Sequence, residues 1–341
     1  METITFFDVK DSEKSFLLDA FCKDFVVDLH PDALLSTSQL SDETKSSQII
    51  SVFTSSRLSA DVLSQFPNLK MIAARSVGYS HIDLDYCDKK GIVVANTPHY
   101  GDYTIAEFSF GLLLSLVRKI SEAQIDLKNG KTNQKYNGVE LFNKTIGIIG
   151  LGAIGAKALK IAKGFSMNVL AFDVYKNEKL MQEFDFEYVD LDYLCQNSDI
   201  ISLYAPATKE NYHMIDADRI KKMKNGVIIV NTARGELIDT QALYSALLDK
   251  KVSAAALDVL ECEEALSNQC KYFKDSFCVD STCMKKTLIN HKLLSMQNVI
   301  VTPHAAYDTK EAVQRILEST VKNITEFYSG EDISNKVLPL G

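Results

Sequence analysis

The sequence predicts an α/β protein built from two doubly wound parallel-sheet domains, and three observations predict it. Along the first hundred residues, short β-branched or aromatic runs alternate with amphipathic stretches, the pattern of a parallel sheet covered by helices. From Lys144 to Asp173 the chain reads KTIGIIGLGAIGAKALKIAKGFSMNVLAFD, which is a strand, a glycine turn, a helix and a second strand. After the last strand a lone helical stretch, Lys310 to Tyr328, remains to be placed.

The totals allow this and exclude other classes. A chain of 341 residues is long enough for two domains, each with its own core. An apolar share of 46% and a charged share of 24% fit a soluble globular protein. A net charge of -8 without clustered Lys and Arg argues against a nucleic-acid surface. The most apolar segment, Phe108 to Val117, is too short to span a bilayer, and the acidic N-terminus does not read as a signal peptide. Cysteines 22, 87, 195, 262, 270, 278 and 283 are odd in number and free of CxxC spacing, so reduced thiols in a cytoplasm are expected. Cys270, Cys278, Cys283 and His291 lie close together, but their irregular spacing does not suit a metal, and none is expected.

In order, strands are expected at Thr3–Phe7, Phe25–Leu29, Gln48–Phe53, Met71–Ala74 and Ile92–Ala95, with helices such as Ser12–Phe21 and Ser59–Gln65 between them. Arg75-Ser76-Val77-Gly78 follows a strand directly, at the edge where open α/β sheets bind ligands; an ordinary strand-to-helix turn explains it as well. Thr97 to Asp102 combines Pro and Gly and reads as a linker. One helix is expected from Tyr103 to Lys128, with Ile105, Phe108, Leu112, Leu116 and Ile120 on one stripe and Phe110, Leu113, Leu114 and Val117 around it. So wide an apolar belt suits a helix at a domain or subunit junction, or a single core helix. Further strands are expected at Ile200–Leu203, Val227–Asn231, Ala254–Leu257 and Val299–Thr302. With the two of the glycine segment they make six, a complete dinucleotide-binding domain of the Rossmann type. The tail helix then returns to the first domain. The expected division is 1–101 with 303–341 for the substrate domain, and 102–302 for the dinucleotide-binding domain.

Within the glycine segment each residue type has a task. Gly150 allows a tight turn, Gly152 lets backbone approach a pyrophosphate, and Gly155 lets helix pack on strand, so that N–H groups at the helix start, from Ala153 and Ile154 on, face the anion. Asp173 lies 23 positions after Gly150, where a carboxylate would accept hydrogen bonds from ribose hydroxyls and repel a 2′-phosphate. NAD is therefore expected over NADP.

Later strands end on residues of another kind: Asn231-Thr232-Ala233-Arg234-Gly235, Leu257-Asp258 followed by Glu261-Cys262-Glu263, and Thr302-Pro303-His304-Ala305-Ala306. An arginine can clamp a carboxylate with two parallel hydrogen bonds. A histidine beside a carboxylate gains a raised pKa and a fixed tautomer. Together they could hold a 2-oxo acid and protonate its ketone while a nicotinamide supplies hydride. Taken singly, each is as easily a surface or structural residue.

Over nearly its full length the chain resembles the D-2-hydroxyacid dehydrogenase family. The resemblance rests on RSVGYSHIDLD, IAEF, GIIGLGAIG, NTARGELIDTQAL, ALDVLECEE and NVIVTPHAAY. It implies a flavodoxin-like substrate domain beside the Rossmann domain, with Arg234 binding substrate carboxylate and Glu263 supporting His304 as acid and base. Glu263 is preferred to Glu261 because the family's glutamate sits five positions after the residue matching Asp258. The resemblance also implies substrate contacts from the N–H groups of Val77 and Gly78 and from Tyr100. To the glycine turn and Asp173 it adds Pro206, Thr232, Ala233, Asp258 and His304 as cofactor contacts. Tyr100 and the 40 residues between Glu263 and His304 point to the D-lactate branch. The hinge Tyr100-Gly101-Asp102 and the Asp308 after Tyr307 depart from it, which leaves phenylpyruvate, 2-oxoisocaproate and hydroxypyruvate open beside pyruvate. A homodimer is expected from the apolar belt. The reading of another class is an NAD(H)-sensing, corepressor-like binding protein.

Overall fold

The computed structural model describes residues 1–37, 40–267 and 281–337. The chain divides into two compact units, Met1–Tyr100 with Thr309–Gly341, and Gly101–Asp308.

The first unit is a sheet of five parallel strands: β1 (Glu2–Phe6), β2 (Phe25–Leu29), β3 (Ile49–Val52), β4 (Met71–Ala74) and β5 (Val93–Ala95), in the order β2-β1-β3-β4-β5. This is the flavodoxin-like order. Strands β3 and β4 read IISV and MIAA and are buried throughout, as central parallel strands covered on both faces must be. Their side chains alternate between two cores. Ile49, Met71 and Ala73 face one with Ile4, Phe6 and Leu17, and Ile50, Val52, Ile72 and Ala74 face the other with Leu58 and Leu63. The tail helix Lys310–Ser329 buries Ile316, Leu317 and Ile324, and Leu317 and Ile324 belong to the first of these cores. Burial of such a side chain contributes about 1.5–3 kcal/mol, so the tail helix is an integral layer of this unit.

The second unit holds seven parallel strands: β6 (Thr145–Ile149), β7 (Asn168–Phe172), β8 (Glu187–Tyr188), β9 (Ile200–Leu203), β10 (Val227–Asn231), β11 (Val252–Leu257) and β12 (Val299–Val301). Their order is β12-β11-β10-β9-β6-β7-β8, so the winding reverses between β6 and β9, the switch point where such sheets bind dinucleotides. The sequence reading counts six strands. It misses β8, which is two residues long and has no apolar run to betray it.

The helix expected from Tyr103 to Lys128 is two helices, Asp102–Val117 and Ile120–Lys128, separated by Lys119 at φ 53°. No Gly or Pro marks the break. Its cause lies further along the chain, where Val139 N–H donates to the Val117 carbonyl at 2.9 Å, taking an acceptor that a continuing helix would use. The first helix buries Ala106, Phe110, Leu113 and Val117 within the second unit; the second buries nothing. Among the described residues, no helix is long and apolar enough to cross a membrane.

The cysteines also differ from expectation. Cys262 and Cys283 are joined as a disulfide, with Cα atoms 5.8 Å apart, because a left-handed residue at Cys262 (φ 55°) and the first turn of the helix Ser281–Ser295 bring them together. Cys22, Cys87 and Cys195 are free, and Cys270 and Cys278 lie outside the described residues.

Candidate active site

At the carboxyl end of β6 the turn needs glycine at two positions, Gly150 and Gly155, where a side chain would not fit. Gly150 has φ 91°, and a Cβ there would lie 2.8 Å from Ala205 Cα. A Cβ on Gly155 would collide with the Gly150 carbonyl, so the helix Ala153–Gly164 starts in direct backbone contact with the turn. Gly152, the residue before that helix, is exposed and has nothing within 4 Å of its Cβ position. Such an open backbone at a helix N-terminus is what a pyrophosphate needs. Asp173, just past β7, accepts from Leu151 N–H at 2.6 Å and from Tyr175 N–H at 2.9 Å. One carboxylate thus braces the turn that it would share with a ribose.

Three loops follow β10, β11 and β12 on the same sheet edge. Asn231 ends β10 and is buried. Its Oδ1 accepts from Ala233 N–H at 3.0 Å, and its Nδ2 donates to the Arg234 carbonyl at 2.8 Å. The half-buried Arg234 is thereby held in a bracketed turn, and its Nη1 donates to the Ala233 carbonyl at 2.6 Å. Thr232 Oγ1 is buried without a hydrogen-bond partner. Buried hydroxyls are normally satisfied, so this one suits a polar cofactor group.

Asp258, just after β11, is 1% exposed. Its Oδ1 accepts from Thr302 Oγ1 at 2.5 Å and Ala305 N–H at 2.9 Å, and its Oδ2 from Ala306 N–H at 2.9 Å. The Asp258 carbonyl accepts from His304 N–H at 2.9 Å. These four bonds fix the loop 302–306 and hold His304 in the left-handed region at φ 52°. Asp258, assigned above to the cofactor, is therefore at least as much the anchor of His304.

The His304 ring meets Glu263: Nδ1 lies 2.6 Å from Oε1, while Oε2 accepts from Leu260 N–H at 3.1 Å. Burial alone would depress the imidazole pKa. The hydrogen bond and charge of Glu263 outweigh it, and Arg234 opposes them only weakly, so the pKa stands above the ordinary 6.5. Glu261, the alternative, points elsewhere, to His213, Lys286 and Thr240.

The structure thus joins Asp258, Glu263 and His304 directly, with Arg234 close enough to act electrostatically on the histidine. Pro206 is exposed after β9, and its carbonyl accepts from Asn211 Nδ2 at 2.7 Å. In the first unit Val77 is exposed beyond β4, and the carbonyls of Val77 and Gly78 are taken by Asn96 Nδ2 and Ser76 Oγ. The Tyr100 carbonyl accepts from Arg315 Nε at 2.8 Å. The bracketing role of Asn231 escaped the sequence reading, although an Asn closing the buried run VIIVN was a visible signal.

The family described as D-isomer specific 2-hydroxyacid dehydrogenase, NAD binding domain, matches residues 110–306. A solved D-lactate dehydrogenase from Aquifex aeolicus, complexed with NAD and lactic acid, superposes with a TM-score of 0.86 and 37% identity, covering 99% of this chain and 100% of its own. A hydroxypyruvate reductase from Thermotoga maritima is 40% identical over 277 residues, 81% of this chain and 83% of that protein. The D-lactate dehydrogenase of Escherichia coli K12 is 34% identical over 307 residues, 89% of this chain and 90% of that protein. With a glycine turn fit for a pyrophosphate and a carboxylate-supported histidine on one sheet edge, the chain belongs to the D-isomer-specific 2-hydroxyacid dehydrogenases, oxidoreductases that use NAD.

Proposed function

We propose that the chain is a D-lactate dehydrogenase, reducing pyruvate with NADH. The observation that carries the chemistry is the 2.6 Å bond between His304 Nδ1 and Glu263, in the unit that bears the glycine turn. When bound, NADH supplies the hydride. Arg234 pairs with the substrate carboxylate, assisted by the N–H groups of Val77 and Gly78. Glu263 holds the Nδ1 proton of His304, leaving Nε2 to donate to the ketone oxygen as the hydride arrives. General-acid assistance of this kind typically contributes about 10²–10⁴-fold. The choice of lactate is supported by the likeness to two D-lactate dehydrogenases and by Tyr100 as the residue reading the substrate side chain. The hydroxypyruvate reductase among the relatives makes hydroxypyruvate the rival substrate. A homodimer is supported by Ile120, Ile125 and Leu127, each more than half exposed on one helix of the second unit; mass by light scattering tests it.

The test is NADH oxidation against pyruvate, hydroxypyruvate, phenylpyruvate and 2-oxoisocaproate. Pyruvate should give the highest kcat/KM, and a preference for any of the others would replace the substrate assignment. Binding of NADH without turnover of any 2-oxo acid would favour the corepressor-like reading. His304→Gln should lose about 10²–10⁴-fold in kcat while binding NADH normally; near-normal turnover would sink the acid/base assignment. Because reduction needs protonated His304, its rate should fall as pH rises through a pKa above 6.5. Oxidation of the hydroxy acid should rise through the same window.

A further inference from the structure

We infer that Glu261 is a positioning residue for the reaction: a buried anchor that holds the Glu263 loop, and through it His304, in register with Arg234. The inference rests on the catalytic reading of Glu263 and His304 given above.

Glu261 is 2% exposed, and a buried carboxylate persists only when its oxygens are well supplied with donors. Five reach it from three separate elements. Thr240 donates from both its N–H at 3.2 Å and its Oγ1 at 2.6 Å, at the start of the helix Thr240–Leu248. Lys286 Nζ, on the helix Ser281–Ser295, lies 2.6 Å from Oε1, and His213 Nε2, from the loop after β9, lies 2.8 Å from the same oxygen. Burial would raise the carboxyl pKa, but these bonds outweigh it and hold it below the ordinary value. The Tyr212 hydroxyl donates to Glu261 Oε1 at 3.4 Å and accepts from Lys286 at 3.0 Å, its ring stacks on His213, and Asp239 lies 3.9 Å from His213 Nδ1. Among the described residues, the titratable groups against Glu261 are Lys286, Tyr212, His213 and, behind the last, Asp239.

The main chain at Glu261 is pinned as firmly. Its carbonyl accepts from buried Asn290 Nδ2 at 2.8 Å. The next residue, Cys262, is tied to Cys283 on the same helix as Lys286 and Asn290. The peptide between Leu260 and Glu261 lies so close to Gly235 that a Cβ there would strike it, so the residue after Arg234 rests on this strand of backbone. Two positions further on, Glu263 takes Leu260 N–H with one oxygen and His304 with the other. Glu261 therefore sits beneath both charged arms of the site, bonded to neither Arg234 nor His304. An apolar residue at this position would leave Thr240, Lys286 and His213 without their acceptor, a destabilising loss, and would leave the turn at Cys262 with one fewer fixed point.

The test compares wild type, Glu261→Gln, Glu261→Asp, Lys286→Met and His304→Gln as full-length protein, with NADH and the 2-oxo acid that wild type reduces fastest. Expected for Glu261→Gln is a kcat lowered about tenfold, part of the 10²–10⁴-fold that the acid provides, with NADH affinity within twofold of wild type. The alkaline limb of the reduction profile should move to lower pH by about one unit, the scale of one charge-assisted hydrogen bond lost from His304. Glu261→Asp should recover part of both changes. A folded Glu261→Gln with unaltered kcat and pH profile overturns the inference, as does a loss of NADH affinity in proportion to the loss of kcat, which would make Glu261 a cofactor-loop support. Where Glu261→Gln does not fold, Lys286→Met, which removes one donor, should shift the pH limb in the same direction; a stationary limb overturns the inference. If His304→Gln retains turnover, it is the catalytic reading that has failed, whatever the Glu261 variants do.

Discussion

The two halves of the seven-stranded sheet present opposite kinds of surface at their carboxyl edge. After β6 that surface is backbone: Gly150, Gly152 and Gly155 remove side chains, and one carboxylate, Asp173, braces the turn through two N–H groups. After β10, β11 and β12 it is side chains held by other side chains and by N–H groups, with Asn231, Asp258, Glu261 and Glu263 each making at least two hydrogen bonds. The difference follows from the task. A pyrophosphate carries a permanent charge and asks only for donors at close range. A proton that must be held and released needs a group whose pKa is set by its neighbours, and those neighbours must themselves be fixed.

If that contrast is right, damage to the second half should cost turnover and damage to the first should cost affinity. After His304→Gln itself, the largest effect is expected from Asp258→Ala. It leaves Thr302 Oγ1, Ala305 N–H and Ala306 N–H without their acceptor, and an abandoned buried donor costs about 1–3 kcal/mol. We expect denaturant unfolding to show a loss of roughly 3 kcal/mol, allowing for relaxation, and kcat to fall by about 10² as His304 loses its seat. Retention of wild-type kcat would show that the loop 302–306 holds itself. Next comes Gly155→Ala. Its methyl group meets the Gly150 carbonyl, and overpacking of this kind costs about 1–3 kcal/mol. Fluorescence titration should show NADH bound about tenfold more weakly, while kcat at saturating NADH stays within severalfold of wild type. A variant with intact affinity and reduced kcat would erase the distinction between the halves.

The same contrast explains what could be read in the sequence. Backbone contact surfaces are written locally: a glycine turn between an apolar strand and an amphipathic helix, with Asp173 at its fixed distance, announces itself in thirty residues. The buried strands were legible for the same reason, since IISV, MIAA and VIIVN are short, almost wholly apolar runs. Side-chain networks are assembled from distant places. The partners of Glu261 stand 48, 21 and 25 residues away, at His213, Thr240 and Lys286, and no spacing rule connects them. Only the resemblance, not periodicity, separated Glu263 from Glu261. The break at Lys119 was hidden likewise, because the group that claims the Val117 carbonyl belongs to Val139. The pairing of Cys262 with Cys283 required a turn and a helix that no pattern in 262–291 declared.

The smallest effect expected is at the carboxylate that braces the glycine turn. Asp173 spends one lone pair of Oδ2 on Leu151 N–H and one of Oδ1 on Tyr175 N–H, so each oxygen keeps a second for a ribose hydroxyl. Asp173→Asn removes the charge and converts one oxygen into a donor. It must either lose one of the two braces or turn its amide toward the ribose. Both outcomes weaken NADH, by about 0.5–1.5 kcal/mol for one hydrogen bond, while the repulsion of a 2′-phosphate disappears. The ratio of kcat/KM for NADH over NADPH should therefore fall about tenfold, with kcat for either cofactor nearly unchanged. Lys176, three positions on, would favour the phosphate once the carboxylate is gone, and Asp173→Asn with Lys176→Ala should restore part of the preference. Should Asp173→Asn instead lower kcat with both cofactors alike, the brace on Leu151 would outrank the ribose contact, and the backbone half would depend on a side chain as much as the other does.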